Sequence, residues 1–303
     1  MANRPGTIDP KVLDRLSGLE LVARRVVEGF MAGTHASPQR GSSVEFAQHR
    51  PYAPGDETRR LDWKVFARSD RLVVKEYVEE TNLSLNLLID ASESMAFSTQ
   101  PWSKFDYARW CAAALAHLVL AQRDTAGLVV FDEAMRAKVP PGNGAPQELA
   151  ILKTLEQTTP SGPTNVGKVI QLLAPRLRHR GVTAVFSDFF DEPAAIVEGV
   201  RRLVHGGHEP ILFQVLDPAE LSFQIDGLVR LQGLEGAGDL KIDPRAIREA
   251  YIEEIQNHNK ELARQARALS VDFVQVVIDE PLDAVLSAYL TKRAARARSG
   301  GAR

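Results

Sequence analysis

The feature that most constrains the fold is an alternation of short apolar runs with longer amphipathic stretches. Four apolar runs, at residues 83–89, 126–131, 182–186 and 211–215, are separated by stretches in which apolar residues recur at helical spacing. Runs that are apolar throughout are typical of parallel strands, which are buried on both faces and joined by crossover helices. The pattern therefore predicts an α/β fold with a central, mostly parallel sheet and helices on both faces.

The regions around these runs complete the predicted architecture. Residues 10–32 have helical spacing, with Ser17–Gly18 as the point where the helix would divide. Residues 34–72 are rich in Pro, Gly, Arg and Asp but also contain aromatic residues, so we expect an ordered, irregular segment. Residues 221–243 interleave polar and apolar positions between glycines, which predicts a β-hairpin insertion. The remaining predicted elements are a strand at 72–78, helices at 105–122, 147–157, 166–179, 194–205, 243–269 and 282–293, and a last strand at 271–277.

These patterns divide the chain into three parts. Residues 1–80 are predicted to form an N-terminal helix and an extension rich in arginine, proline and aromatic residues. Residues 81–293 are predicted to form the α/β domain, and residues 294–303 a basic, flexible tail. The hairpin insertion lies inside the α/β domain.

Charge and cysteine content exclude several classes of protein. The chain carries 37 Lys and Arg against 39 Asp and Glu, a net charge of −2. No overall field therefore favours nucleic acid or a membrane surface. The single cysteine, Cys111, rules out an intramolecular disulfide and a cysteine-based zinc site. Because no run of about 18 apolar residues and no signal peptide is visible, we expect a soluble, cytoplasmic protein that does not insert into membranes.

Oxygen-bearing side chains follow the predicted strands at the positions where an open parallel sheet binds ligands, outside the carboxyl ends of the strands. Carboxylates and hydroxyls suit a hard divalent cation, with Mg²⁺ favoured and Mn²⁺ or Ca²⁺ as alternatives. Because hydroxyls are weak ligands, such a site would leave one position open to a carboxylate from another molecule. The predicted ligands are Asp90, Ser92, Ser94, Thr164 and Asp188.

Two other interpretations of these motifs were weighed. Asp, Ser and Thr also cap helices, so Asp90-x-Ser92-x-Ser94 or Thr164 taken alone would more often be a cap than a ligand. The run Gly162–Lys168 matches G-x-x-x-x-G-K, but Val169 stands where a phosphate-binding loop needs Ser or Thr, and no clear strand precedes it. Nucleotide binding is therefore not predicted.

The enzymatic alternative is a metal-dependent phosphoesterase that uses Asp90 and Asp188. A haloacid-dehalogenase-like site would need a second carboxylate two residues after the first, where this chain has Ser92. A two-metal nuclease would need at least three clustered carboxylates, and only Asp191 or Glu93 could be added. A purely structural protein, in which the hydroxyls only cap helices, is a third alternative.

Two resemblances follow from these residues. Asp90-x-Ser92-x-Ser94, Thr164 and Asp188 resemble the metal-ion-dependent adhesion site of von Willebrand factor type A domains, over residues 80–290. The segment from Arg40 to Thr81 resembles the bacterial domain of unknown function 58 family. Its matching motifs are Arg40-Gly-Ser-Ser-Val-Glu-Phe-Ala, Arg50-x-Tyr52-x-Pro54-Gly55-Asp56, Arg60-Leu-Asp62-Trp63, Ala67-Arg68, Lys75-Glu76 and Glu80-Thr81.

The resemblances imply a von Willebrand factor A-like Rossmannoid fold with an N-terminal extension. They also imply a non-enzymatic interaction module that acts with a MoxR-type AAA+ ATPase on a client protein, in chaperone-like or complex-assembly work. Ser92, Ser94 and Thr164 would ligate the metal directly, and Asp90 and Asp188 mostly through water. Where many type A domains have Thr-Asp-Gly, this chain has Ser187-Asp188-Phe189, which makes the shape of that loop the open question.

The segment Tyr52–Arg68 allows two interpretations. In the first it is structural: its charged residues pair internally while Trp63 and Phe66 pack on the sheet. In the second it is a partner-docking surface, because Arg and Trp are enriched at interface hot spots. The sequence does not separate the two.

Overall fold

A computed structural model describes residues 10–14, 18–33, 44–52, 61–79, 83–177, 180–223, 229–232, 239–242, 244–282 and 286. The chain divides into two compact units. One contains residues 36–83, and the other contains the N-terminal helices together with everything from Ser84 onward. The second unit carries the candidate site.

A six-stranded sheet is the centre of the larger unit. Its strands are β3 (Ser84–Asp90), β4 (Thr125–Phe131), β5 (Met135–Gly142), β6 (Val182–Ser187), β7 (Glu209–Leu216) and β10 (Asp272–Val277). Their order across the sheet is β10-β7-β6-β3-β4-β5, and every neighbouring pair is parallel except β4 with β5. The predicted mostly parallel sheet is confirmed.

Helices cover both faces of this sheet. One face packs against α6 (Val166–Leu173), α7 (Pro193–His205) and α9 (Pro244–Ala268) in a core that includes Leu88 and Val185. The other face meets α4 (Lys104–Ala121), against which α2 (Leu19–Gly33) and α5 (Gly144–Gln157) pack. All seven residues of β3 are buried, as expected for a strand covered on both sides.

The hairpin insertion is also confirmed. A short helix, α8 (Pro218–Ser222), follows β7, and then β8 (Val229–Gln232) pairs antiparallel with β9 (Asp239–Ile242). At the N-terminus, α1 (Pro10–Asp14) and α2 flank the predicted break at Ser17–Gly18, where Gly18 has a φ of +98°. Because α2 packs on α4, these helices belong with the sheet and not with an extension ending at residue 80.

Three local expectations were wrong. Residues 34–72 are not irregular throughout: β1 (Val44–Pro51) pairs antiparallel with β2 (Val73–Glu79), and α3 (Trp63–Ser69) lies between them. Strand β5 was missed because it is a half-exposed edge strand containing Pro140 and Pro141, and prolines are tolerated only at edges. The helix predicted for 166–179 ends at Leu173 and tightens into a 3₁₀ turn at Ala174–Arg176, which contains Pro175.

Some expectations fall outside the described residues. These are most of the predicted helix at 282–293, the tail at 294–303, and residues 53–60 of the Tyr52–Arg68 segment.

In the described part of the Tyr52–Arg68 segment, Asp62 caps α3 by accepting the backbone N–H groups of Lys64 and Val65. Trp63 meets Phe66 edge-on but is 59% exposed, so it is not packed as the structural one of the two interpretations supposes. Among the described helices, none has the length and apolar character to span a membrane.

Candidate metal centre

The candidate site lies outside the carboxyl ends of β3 and β6, which are neighbours at the centre of the sheet. From β3 the chain builds β4 and β5 on one side, then crosses to build β6, β7 and β10 on the other. The strand order therefore reverses between β3 and β6, and ligands of open α/β sheets bind at such a point.

Asp90, the last residue of β3, is the hub of the site and is fully buried. Its Oδ1 accepts the backbone N–H of Ser92 at 2.9 Å, and its Oδ2 accepts the hydroxyl of Ser187 at 2.7 Å. The hydroxyl of Thr164 lies 3.3 Å from Oδ2 and 3.5 Å from Oδ1. The Ser92 and Ser94 hydroxyl oxygens are 3.1 Å apart. Residues distant in sequence thus present their oxygens together around one carboxylate.

Backbone hydrogen bonds hold the two loops that supply these hydroxyls. Ser161 donates its N–H to the carbonyl of Ala91 at 2.8 Å, and Glu93 donates to the carbonyl of Gly162 at 2.8 Å. Ala91 in turn donates to Phe131 at the end of β4, at 2.7 Å. These contacts place Thr164 beside Asp90 by main-chain geometry.

The hydroxyls of Ser92 and Thr164 do not act as helix caps. Ser92 precedes a 3₁₀ turn at Glu93–Ala96 but makes no capping hydrogen bond with its side chain. Helix α6 is capped by Asn165, whose side chain accepts the N–H of Lys168 at 3.0 Å, and not by Thr164. The capping interpretation therefore fails for both residues.

The environment of Asp90 disfavours its negative charge. Burial, and then the nearby Asp188 carboxylate, raise the pKa of Asp90 from 3.8 to about 7, although hydrogen bonds from Ser187 and Ser92 work in the opposite direction. A cation bound beside Asp90 would remove this penalty, because it supplies the opposite charge that the site lacks.

Asp188, at the end of β6, is equally buried but has a different partner. Lys104, the first residue of α4, donates from its ammonium to Asp188 Oδ2 at 2.8 Å. The other oxygen of Asp188 accepts the N–H of Phe190 at 3.3 Å. One oxygen of this predicted ligand is therefore occupied by an internal cation.

Lys104 also joins a second carboxylate, from α8. Its ammonium lies 2.6 Å from Glu220 Oε1, and its side chain is 1% exposed. Burial lowers the pKa of Lys104, but Asp188 and Glu220 outweigh that effect and raise it, so the ammonium stays charged. Burial raises the pKa of Glu220, and Lys104 opposes that rise. The rings of Phe97 and Phe190 flank the ammonium at 5.8 and 5.3 Å from their centroids.

The N-terminus of α8 is fixed by another buried carboxylate, that of Asp217. It accepts the backbone N–H and the hydroxyl of Thr99, each at 2.6 Å, and the N–H of Ala219 at 2.8 Å. Glu220 closes a capping box by accepting the N–H of Asp217 at 2.8 Å. Glu220 is therefore held in place independently of Lys104.

The loop after Asp188 takes a shape that glycine would accommodate with less strain. Phe189 has a φ of +55°, in the left-handed region that bulky residues rarely adopt. Its N–H donates to Ser187 Oγ at 3.0 Å, its carbonyl contacts His258 Nε2 at 2.8 Å, and its side chain is fully buried in the core. Packing and hydrogen bonds thus stabilise at Phe189 a backbone conformation that the glycine of Thr-Asp-Gly would adopt with less strain.

The other sequence candidates lie apart from this cluster. Asp191 accepts the N–H of Gly167 at 3.2 Å and so serves the N-terminus of α6. Gly162–Lys168 follows a loop after α5 and not a strand, so it lacks the strand that precedes a phosphate-binding loop. Glu93 is half-buried, and its backbone N–H helps to tie the two loops together.

Sequence reasoning missed Lys104, Ser187 and Glu220. Lys104 had one readable signal: a lysine in the first turn of a helix opposes the helix dipole and needs a compensating partner. Its partners are 84 and 116 residues away in sequence, so only the folded chain identifies them. Ser187 stood next to a predicted ligand but was not assigned a role.

The donor set fits a hard divalent cation that relies on hydroxyls. Within the described ranges, no group of three or more His, Cys, Asp and Glu side chains is placed to hold a metal ion. The donors at this edge are instead two carboxylates and hydroxyls, all oxygens. Asp90, Asp188 and Glu220 together carry more negative charge than Lys104 compensates, so the group favours a bound cation.

This combination defines a class: an open, mostly parallel α/β protein with an oxygen-donor site at its switch point. The chain belongs to the family described as Protein of unknown function DUF58, which it matches over residues 48–261. An uncharacterized protein of Mycobacterium tuberculosis is 28% identical over 298 residues, covering 96% of this chain and 93% of that protein. The uncharacterized protein YeaD of Bacillus subtilis is 40% identical over 76 residues, covering 25% of this chain and 19% of that protein.

Solved structures with a related sheet share little sequence with this chain. BatB, a conserved hypothetical protein from Bacteroides thetaiotaomicron, matches with a TM-score of 0.48 and 17% identity, over 70% of this chain and 99% of its own. The von Willebrand factor A domain of SpRpn10 matches with a TM-score of 0.42 and 12% identity, over 68% of this chain and 94% of its own. Likenesses of this size carry no information on function.

Proposed function

We propose that this DUF58 protein is a non-enzymatic interaction module whose metal centre accepts a carboxylate from a partner protein. Asp90, Ser92, Ser94, Thr164 and Asp188 would hold the ion, Mg²⁺ in the first place and Mn²⁺ or Ca²⁺ as alternatives. When bound, the ion supplies a Lewis-acidic position to which an external carboxylate can attach. The partner we propose is a MoxR-type AAA+ ATPase in the cytoplasm, with a client protein that is not identified.

The observation that carries this proposal is the grouping of hydroxyls around a buried carboxylate. The hydroxyl of Thr164 lies 3.3 Å from Asp90, and the hydroxyls of Ser92 and Ser94 meet at 3.1 Å. Ser92 and Thr164 do not cap helices, so capping does not account for their placement at the sheet edge.

A recognition role is favoured over hydrolysis by the state of the second carboxylate. A phosphoesterase that uses Asp188 as a general base would need this carboxylate free to take a proton from water, yet one of its oxygens accepts from the Lys104 ammonium at 2.8 Å. Asp191, the carboxylate that a two-metal site would enlist, serves the N-terminus of α6. No observation at this site favours turnover.

Metal binding is the first step to test. The full chain is titrated with Mg²⁺ and with Mn²⁺ by calorimetry, alongside Thr164→Val and Thr158→Val. Thr158 is the matched control because its hydroxyl only bonds the carbonyl of Thr154, at 2.7 Å, at the end of α5. Metal affinity should fall about 10- to 100-fold in Thr164→Val, the loss seen when even an outer partner of a metal site is removed. Equal affinities in the two variants would refute the site.

Partner binding is the second step. The full chain and a MoxR-type ATPase from the same organism are combined in a pull-down, with the Thr164→Val and Thr158→Val variants in parallel. Using variants avoids chelators, which would also remove Mg²⁺ from the ATPase. Capture should be lost in Thr164→Val and retained in Thr158→Val. Capture that is equal in both would contradict a metal-bridged contact, and phosphoester turnover lost in Asp188→Asn would favour the hydrolase.

A further inference from the structure

Two residues outside the ligand set proposed above, Lys104 and Glu220, form a buried ion cluster with the proposed ligand Asp188. Lys104 and Asp188 are at most 1% exposed, and the ammonium lies between the two carboxylates at 2.8 and 2.6 Å. Removing three charged groups from water is costly unless each is paired, so this arrangement is specific and not incidental.

The position of Lys104 controls what Asp188 can offer. The ammonium occupies Oδ2, while Oδ1 accepts the Phe190 N–H at the longer distance of 3.3 Å. Both oxygens of Asp188 therefore already accept a hydrogen bond, and the shorter of the two comes from the lysine. The side chain of Gln214 fixes the same residue from behind by donating to its carbonyl at 3.1 Å.

The charge of Lys104 sets the balance of the centre. With it, the negative charge of Asp90, Asp188 and Glu220 is reduced by one before any metal binds. Without it, the group would attract a divalent cation more strongly, but the loaded site would stay more negative, which repels an incoming carboxylate. The lysine thus weakens the hold on the metal and strengthens the hold on the carboxylate.

We infer that Lys104 is the residue that makes the centre selective for a carboxylate partner, and that Glu220 opposes its effect. This inference rests on the proposed metal site and adds to it a specific division of labour. The two residues should move metal affinity and carboxylate affinity in opposite directions. A residue that only supports the fold would lower both affinities together.

The test uses the full chain, with Mn²⁺ as the metal and acetate as the carboxylate. Mn²⁺ affinity is measured by electron paramagnetic resonance. Acetate binding to the Mn²⁺-loaded protein is followed by the loss of water-proton relaxation enhancement. The variants are Lys104→Met, Glu220→Gln and their combination, with Lys153→Met as a control that removes the same charge from an exposed position on α5.

Charge alone predicts the pattern. Lys104→Met should bind Mn²⁺ about tenfold more tightly and acetate about tenfold more weakly, and Glu220→Gln should show the reverse. The double variant restores the original charge and should return both affinities close to those of the unchanged protein. Lys153→Met should alter neither affinity.

Each result bears on a different claim. Absence of Mn²⁺ binding in the unchanged protein would overturn the proposed function and this inference with it. Mn²⁺ binding in which both affinities fall together in Glu220→Gln would overturn the inference alone. If Lys104→Met does not fold, Glu220→Gln and the double variant still decide, since neither leaves an unmatched buried lysine or a pair of unmatched carboxylates beside it.

Discussion

The ends of β3 and β6 each place a fully buried aspartate at the same edge of the sheet, yet the two carboxylates meet different surroundings. Asp90 is met by a backbone N–H and by hydroxyls, and its pKa is raised to about 7. Asp188 is met by the ammonium of a buried lysine. Equal burial therefore produces one carboxylate that lacks a cation and one that already has its own.

This difference shows how a site can be built to take a metal without being filled by its own side chains. If Lys104 contacted both aspartates, the centre would be neutralised internally and would have little affinity for a divalent ion. If it contacted neither, both carboxylates would be penalised by burial and by each other. One lysine on one aspartate leaves the other in need of an external charge.

The largest effect should come from removing the internal cation. Lys104→Met should lower the free energy of unfolding by about 3–5 kcal/mol, because it leaves Asp188 and Glu220 buried without their partner. Asp90→Asn, in contrast, should lower it far less or even raise it in chelator, since it removes a charge that burial disfavours. Urea denaturation of both variants in chelator tests the comparison, and similar losses would contradict it.

Magnesium should stabilise the protein through Asp90. At a free concentration of 100 times its dissociation constant, a ligand that binds only the folded state adds about 2.7 kcal/mol. The unchanged protein should show this gain in denaturation with Mg²⁺ against chelator. Asp90→Asn should show almost none, while Asp106→Asn, in the α4 capping box, should keep the full response.

The pH dependence of stability should also report on the surroundings of Asp90. Because the pKa of Asp90 is about 7 when folded and 3.8 as its ordinary value, the folded state binds the extra proton between those values. The contribution of Asp90 to stability in chelator should therefore be most favourable below pH 3.8 and be lost as pH rises through 7, at up to about 1.4 kcal/mol per pH unit. The part of this pH slope that is lost in Asp90→Asn measures the contribution of Asp90. A slope that is unchanged in the variant would contradict the prediction.

The smallest effect should come from Thr164. Its hydroxyl lies 3.3 to 3.5 Å from Asp90, longer than a strong hydrogen bond to a carboxylate. Thr164→Val should therefore lower stability in chelator by less than about 1 kcal/mol. The same variant should lose much of its Mg²⁺ stabilisation. A large loss in chelator would assign Thr164 to the fold and not to the metal.

The sequence predicted the sheet well because its signal is local. The apolar runs at 83–89, 126–131, 182–186 and 211–215 each lie within or almost within an observed strand. The misses occurred where local signals conflict. Strand β5 contains two prolines and faces solvent in part, and strand β1 lies in a segment dense in Gly, Pro and charged residues. The secondary structure of such segments depends on tertiary strand pairing, which cannot be deduced from their composition.

The same reasoning predicted only part of the candidate site. Asp90, Ser92, Ser94, Thr164 and Asp188 follow strands or precede a helix, so the rule for strand ends finds them. Lys104 is the first residue of α4, and Glu220 lies in α8. No local sequence pattern indicates where these two helices lie relative to β6. Their ion pairs span 84 and 116 residues and depend on the fold being complete.

The main-chain bonds between the loop after β3 and the loop before α6 have a mechanical consequence. Ser161 and Glu93 lock the two loops together, and Ala91 anchors them to the end of β4. A pull on a carboxylate held at this edge would therefore be shared between β3, β4 and the segment leading into α6. Force applied at this edge would thus reach the centre of the sheet, and no single loop would bear it alone.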